Sequence, residues 1–177
     1  MIITDLYGTF FNSQGNIAER NIEAVEYFKK NGGFFTIATG RSPKSPARLT
    51  ERFTPLVNAP AILCNGAFCY NFRREERICE IELNYQKSTE LAMRVHRDFP
   101  EITVRLSIGN VEYSLSQEES IGIVDGKYEN DLDLLTHADI AACPENSIES
   151  VKKISKIQLC HCDDGAIADL IEKIEKN

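Results

Sequence analysis

Short apolar strands alternate with amphipathic helices along most of this chain, and each strand stops on a turn residue. Residues 2–5 are strand-like. Residues 19–31 put apolar side chains at 22, 25 and 28 on one helical face, and Asn31-Gly32-Gly33 stops that helix. Phe34-Phe35-Thr36-Ile37-Ala38 reads as the next strand and runs into Thr39-Gly40-Arg41-Ser42-Pro43. A strand, helix, strand unit of this length predicts a right-handed parallel crossover. Residues 45–53 read as a helix, and Ala61-Ile62-Leu63-Cys64 as a third buried strand closed by Asn65-Gly66. The alternation returns at residue 120, with strands at 121–124, 139–142 and 157–160 and helices at 129–136, 146–154 and 165–175.

Between the two stretches the grammar changes. Residues 67–72 and 77–83 suggest a hairpin about the polar turn Arg73-Arg74-Glu75-Glu76. A helix follows at 85–98, then strands at 102–107 and 111–115. The chain therefore predicts an α/β fold: a parallel sheet with helices on both faces, built from 1–66 and 119–177, with a small α+β insert at 67–118.

The 177 residues suffice for one core of this kind. A net charge of −7 with no basic run excludes attraction to nucleic acid. No apolar stretch is long enough to span a membrane. The opening Met1-Ile2-Ile3-Thr4-Asp5 is strand-like with no basic segment before it, so a cytoplasmic location is expected. The six cysteines are read as free thiols rather than a disulfide framework. Cys160-His161-Cys162 has the wrong spacing for a zinc pair.

Chemistry concentrates where strands end. Asp5 closes the first strand, ahead of the tight turn at Gly8-Thr9. Open α/β sheets bind their ligands at the carboxyl ends of such strands. An Asp that merely caps the turn is the plainer alternative. It explains poorly why an apolar strand runs into a single carboxylate. Thr39-Gly40 either lets the backbone approach a ligand closely or is an ordinary turn after a strand, and Asn65-Gly66 faces the same crevice or simply ends its strand. Arg41 fits either a substrate anion or a surface ion pair.

Four segments carry a resemblance to the haloacid dehalogenase (HAD) superfamily, in particular its Cof-like branch with an α+β cap. Asp5-Leu6-Tyr7-Gly8-Thr9 resembles its first motif, Asp-x-Asp-Gly-Thr, and Ile37-Ala38-Thr39-Gly40-Arg41-Ser42 its second. Ala61-Ile62-Leu63-Cys64-Asn65-Gly66-Ala67 resembles the strand and Asn-Gly that lead into the cap. Gly126-Lys127-Tyr128-Glu129-Asn130-Asp131 resembles the fourth motif, Gly-Asp-x-x-Asn-Asp. The sequence departs from the pattern at Tyr7, where the family has a second Asp, and at Lys127, where it has a metal-binding Asp unless Asp125 takes that place. The lysine of the third motif is missing or displaced, and the cap is shortened.

The resemblance implies a phosphohydrolase acting on small phosphorylated metabolites through an aspartyl-phosphate on Asp5, weakened by these departures. Tyr7 stands in the place of the acid–base residue. Gly8, Thr9, Thr39, Gly40, Arg41, Asn65, Gly66, Lys127 and Asn130 are the implied phosphate and substrate contacts. Mg²⁺, held weakly or lost, is the implied cofactor, with Asp5, the Tyr7 carbonyl, Asp131 and Asp125 as its ligands. Two alternatives stand beside this reading. One is a non-catalytic descendant that binds an anion or a partner protein. The other is a 2-haloacid dehalogenase, whose first motif also carries Tyr, although the second motif and the cap grammar here argue against it. An oligomer is an open expectation, since a shortened cap exposes apolar surface.

Overall fold

The computed structural model describes residues 1–42, 51–108, 111–115 and 131–176, with only the backbone for 105–108, 111–115 and 131–133. Strand β1 (Ile2–Thr4) pairs in parallel with β2 (Phe35–Ile37), Ile2 facing Phe35 and Thr4 facing Ile37. Helix α1 (Glu19–Lys30) makes the crossover between them. A parallel bridge between Ala38 and Ile62 joins β2 to β3 (Ala61–Leu63). Thr39 N–H to the Ile62 carbonyl, 2.9 Å, fixes it, while Ala38 N–H to the Thr4 carbonyl, also 2.9 Å, extends the pairing of β2 with β1. Three parallel strands thus stand side by side in the order β1, β2, β3.

The next strand, β4 (Phe68–Asn71), turns back on β3 in antiparallel register, Ala61 facing Tyr70 and Leu63 facing Phe68. Strand β5 (Glu76–Glu80) pairs with β4 in turn. The hairpin read as part of the insert is therefore hydrogen-bonded to the core strand that precedes it. Beyond it come helix α2 (Tyr85–Asp98) and a second hairpin, β6 (Val104–Ile108) with β7 (Val111–Leu115). Asn84 caps α2 by accepting from the Lys87 N–H. Of α2 only Ala92 is buried, and Tyr85, Leu91 and Met93 are exposed.

The C-terminal part contains α3 (Asp131–His137), β8 (Ala142–Pro144), α4 (Glu149–Ile154), β9 (Ile157–Leu159), a short 3₁₀ turn (Cys162–Asp164) and α5 (Ala166–Glu175). Strands β8 and β9 are parallel, with Ala142 facing Ile157. The strand expected at 139–142 starts three residues late, because Ala138-Asp139-Ile140 form a bend after α3. The expected strand at 121–124 lies outside the described residues. The expected helix at 45–53 is described only from residue 51, and 51–53 are helical.

The core gathers Leu6, Phe10, Phe11, Val25, Phe35, Ile37, Leu63, Ile167 and Ile171, all nearly inaccessible to solvent. Phe10 and Phe11 come from the loop after β1, not from a strand. Phe10 tilts against Phe35 at 5.2 Å between ring centroids. Anchoring two aromatic rings fixes the loop that follows Asp5, and each ring is worth about 3–5 kcal/mol against truncation to Ala. Two polar side chains, Asn21 and Thr36, are almost wholly inside. Asn21 of α1 donates to the Phe10 carbonyl at 3.4 Å and accepts from the Ala168 N–H of α5 at 3.0 Å. It thereby satisfies a first-turn amide of α5, whose own N-cap is Gly165.

Candidate active site

The ends of β1, β2 and β3 carry Asp5, Thr39 and Asn65 respectively. Neighbouring strands lie about 4.8 Å apart, so parallel order alone brings the three residues to one edge. Asp5 is half-buried, and its carbonyl accepts from Thr4 Oγ1 at 2.8 Å. The loop after it is tightly tethered. Phe11 N–H binds the Leu6 carbonyl at 2.7 Å. Gly8 has φ +71°, and its carbonyl accepts from Asn146 Nδ2 at 2.8 Å. Asn146, just past β8, also accepts from the Cys162 N–H at 3.0 Å. The carbonyls on both sides of Tyr7 are thus held by named partners.

Further along the same loop, the carboxylate of Asp163 receives the Ser13 N–H at 2.6 Å and the Ser13 hydroxyl at 3.0 Å. These two bonds, the backbone one first, hold the Asp163 carboxyl below the usual carboxylate range. His161 Nδ1, Cys162 Sγ and the Asp163 carboxylate lie within 4.8 Å of one another. Here His161 Nδ1 accepts from the Asp163 N–H at 3.2 Å and caps the 3₁₀ turn. The cluster therefore builds the turn that receives Ser13.

Thr39 is nearly buried. Its Oγ1 accepts from the Arg41 N–H at 3.3 Å, and its carbonyl accepts from the Asn65 N–H at 3.3 Å. The Arg41 carbonyl accepts from the Cys64 N–H at 3.1 Å. The loops after β2 and β3 are thereby stitched together. Gly40 leaves room at this seam for the Asn65 side chain, since a methyl group there would lie 2.6 Å from Asn65 Oδ1 and displace it. The turn itself is strained. Cys64, Asn65 and Gly66 have φ of 51°, 54° and 89°. A left-handed residue other than Gly or Asn costs on the order of 1–3 kcal/mol, so Cys64 is held there by its surroundings.

Tyr7 is 45% exposed at the rim of this edge. The Arg41 guanidinium carbon lies 4.8 Å from the centre of its ring, and Phe11 meets it edge-on at 5.6 Å. The two motif loops are therefore joined by a cation–π contact. Sequence reasoning allowed Arg41 an anion or an ion pair; the contact among the described residues is an aromatic face.

Of the remaining sequence-predicted residues, Thr9 and Gly66 lie in the first loop and in the turn after β3. Asp131 opens α3, its side chain outside the described residues, as are Asp125, Lys127 and Asn130 altogether. Asn146, Ser13 and Asp163 were not singled out from sequence. Asn146 lies in a segment that resembles the family's C-terminal pattern, the one signal pointing to it. A groove of about 550 Å³ lined by Glu51, Thr54, Tyr70, Phe72, Arg73 and Glu75 belongs elsewhere. Tyr70 faces Ala61 at the start of β3, so the groove sits at the opposite end of the strand from Asn65.

The parallel strands thus carry a carboxylate at the end of the first, with Thr and Asn at the ends of the next two. The family profile of haloacid dehalogenase-like hydrolases matches residues 2–125, and the chain belongs to that family. SMU.1108c from Streptococcus mutans UA159 shares the fold with a TM-score of 0.79 at 14% identity, over 99% of this chain and 98% of that one. The phosphatase BT1666 from Bacteroides thetaiotaomicron gives a TM-score of 0.67 at 14% identity, over 98% and 93%. The HAD subclass IIB sugar phosphatase BT4131 gives 0.65 at 16% identity, over 98% of each chain. The expected fold, that of the Cof-like branch, is thus borne out. No curated protein matches the chain.

Proposed function

We propose that the chain is a phosphohydrolase for small phosphorylated metabolites, with Asp5 as nucleophile. The observation that carries this reading is the arrangement of Asp5, Thr39 and Asn65 at the ends of three adjacent parallel strands, in a chain of the HAD-like hydrolase family. An Asp5 carboxylate oxygen attacks phosphorus in line as the bond to the leaving oxygen breaks, giving an aspartyl-phosphate and an alkoxide that takes a proton from water. Water then attacks the phosphorus, breaks the bond to Asp5, and releases inorganic phosphate and a proton as the carboxylate is restored. Thr39 Oγ1 already accepts from Arg41 N–H, so its own proton points to another acceptor, and a phosphoryl oxygen fills that role. Asn65, whose backbone N–H is held by the Thr39 carbonyl, offers its side-chain amide from the neighbouring loop.

The oxygen donors at the end of β1, the Asp5 carboxylate and the Tyr7 carbonyl, are hard ligands of the kind Mg²⁺ takes. They would hold it together with Asp131 or Asp125. When bound, it would offset phosphate charge and favour in-line geometry. Lys127 stands in sequence where the family pattern has a metal-binding Asp, and the loss of that carboxylate would weaken such binding.

Tyr7 makes the enzyme a slow one. A phenol is a poor base near neutrality, and positioned acid–base catalysis is worth roughly 10²–10⁴-fold. Wild-type protein is expected to hydrolyse an activated aryl phosphate slowly and a sugar phosphate far more slowly. The test is Asp5→Asn, which should abolish both activities. Activity that survives this change would overturn the assignment of the nucleophile. Absence of any turnover in wild type and in the Tyr7→Asp, Lys127→Asp double variant would favour the anion-binding descendant.

A further inference from the structure

Cys69 of β4 faces Cys79 of β5 directly across the antiparallel ladder. The bond from Ile81 N–H to the Ala67 carbonyl, 2.7 Å, fixes the register at that end of the hairpin. Directly opposed residues in such a ladder have Cα atoms about 4.5–5.5 Å apart, inside the roughly 4.4–6.8 Å that a disulfide spans. Their side chains leave the same face. Both are free thiols; Cys79 is exposed and Cys69 is half-buried. Hydrogen bonding to Cys79 is the first cause that raises the Cys69 thiol above its ordinary range, with burial second. The sulfurs are therefore in reach of each other.

The strand that carries Cys79 is weakly held. Among the described residues β5 is the outer strand of its sheet. The ladder slips just past the pair, since Tyr70 faces Arg77 and Ile78 is left without a partner residue. A bulge on an edge strand loosens local pairing.

We propose that Cys69 and Cys79 form a reversible oxidation site at which a hydroperoxide converts the dithiol to a disulfide that fastens β5 to β4. Cys79, the exposed thiol, attacks the peroxide as thiolate; the O–O bond breaks, giving a sulfenic acid and, with a proton, water. The Cys69 thiolate then attacks the sulfenic sulfur, forms the S–S bond and expels hydroxide, which leaves as water. Two thiols and one hydrogen peroxide thus give one disulfide and two waters, and a small thiol reverses the change by exchange. The other cysteines lie off this hairpin; Cys143 and Cys162 are buried, Cys64 follows β3 and Cys160 follows β9.

The test uses the full chain, treated with hydrogen peroxide, alkylated with iodoacetamide, digested and analysed by mass spectrometry. The expected product is a Cys69–Cys79 linked peptide that dithiothreitol abolishes. Amide exchange in residues 76–80 should slow in the oxidised form. In Cys69→Ser, Cys79 has no resolving partner, and its sulfenic acid should be trapped by dimedone. In Cys79→Ser, Cys69 should stay reduced and be alkylated. Recovery of both cysteines alkylated after peroxide treatment of the wild type would overturn the proposal. So would a disulfide that joins Cys79 to a different cysteine or to a second chain.

Discussion

Tyr7 faces two demands at one position. Its backbone carbonyl lies in the loop whose neighbouring carbonyls are held by Phe11 and Asn146, and its ring takes the Arg41 guanidinium on one face. Changing the side chain leaves the backbone demand intact. Tyr7→Asp should therefore raise turnover, by up to about 10²-fold or more, and most of all for a poor leaving group that needs protonation. Steady-state rates on an aryl phosphate and a sugar phosphate check this; a uniform gain on both would point away from acid–base catalysis. Arg41 would also be released from the ring. Gly40 is the other residue whose chemistry is forced. Its missing side chain makes room for Asn65 Oδ1. Gly40→Ala should displace Asn65 and lower kcat/KM by about 10-fold or more, since small misplacements at a reacting centre are costly. The melting temperature should barely move, because Asn65 is exposed. Unchanged kinetics would remove Asn65 from the site.

Among the elements, the strands that define the site were legible because each is a short apolar run closed by a turn residue, and the first helix because its apolar side chains recur at helical spacing. Their parallel order followed from the crossover rule. The attachment of β4 to β3 was harder to see. Cys64-Asn65-Gly66 looks like the end of a core strand, yet three successive left-handed residues turn the chain back on itself. Nothing in the residue types announces that Cys64 adopts such a conformation; the bonds from the Asn65 and Cys64 N–H groups to the Thr39 and Arg41 carbonyls enforce it. The roles of Asn146 and Asp163 were illegible for a related reason: they hold backbone groups, and in one case the Ser13 hydroxyl, of a loop far away in sequence, and backbone groups leave no compositional trace. Asn21 shows the same effect inside a helix. It looks like an ordinary polar position and in fact completes the first turn of α5. Asn21→Ala should cost about 1–3 kcal/mol through the unsatisfied Ala168 amide and Phe10 carbonyl. Urea unfolding should show a lower midpoint with an unchanged slope; a shift within error would mean that water replaces the side chain.

At the scale of the molecule, pH acts on stability from both ends. Ser13 holds Asp163 low, its N–H first and its hydroxyl second. Burial raises Asp169, but Lys173 at 2.7 Å and the Cys160 N–H at 2.9 Å outweigh it and leave it lowered. For a carboxyl depressed in the folded state, the unfolded chain binds more protons in acid. The stability these groups supply is complete above the ordinary carboxylate range and is lost as pH falls below about 4. Burial, then Asp169 and Asp163 respectively, raise the thiols of Cys160 and Cys162. Their contribution is complete below the free-thiol range and fades above about pH 8.5. Stability measured by denaturant across pH should therefore fall at both extremes. Ser13→Ala should lower the neutral plateau and flatten the acid limb, whereas an acid limb equal to that of wild type would say that the Ser13 hydroxyl does not hold Asp163.

The bonds from Asn146 to Gly8 and from Ser13 to Asp163 span 138 and 150 residues of sequence. A chain emerging from the ribosome exposes its first loop long before it exposes the residues that hold that loop. Until Asn146 and Asp163 are made, the carbonyl of Gly8 and the amide of Ser13 have only water for partners. The N-terminal half can pair its strands during synthesis, while the loop around Tyr7 gains these two tethers only once Asn146 and Asp163 have been made.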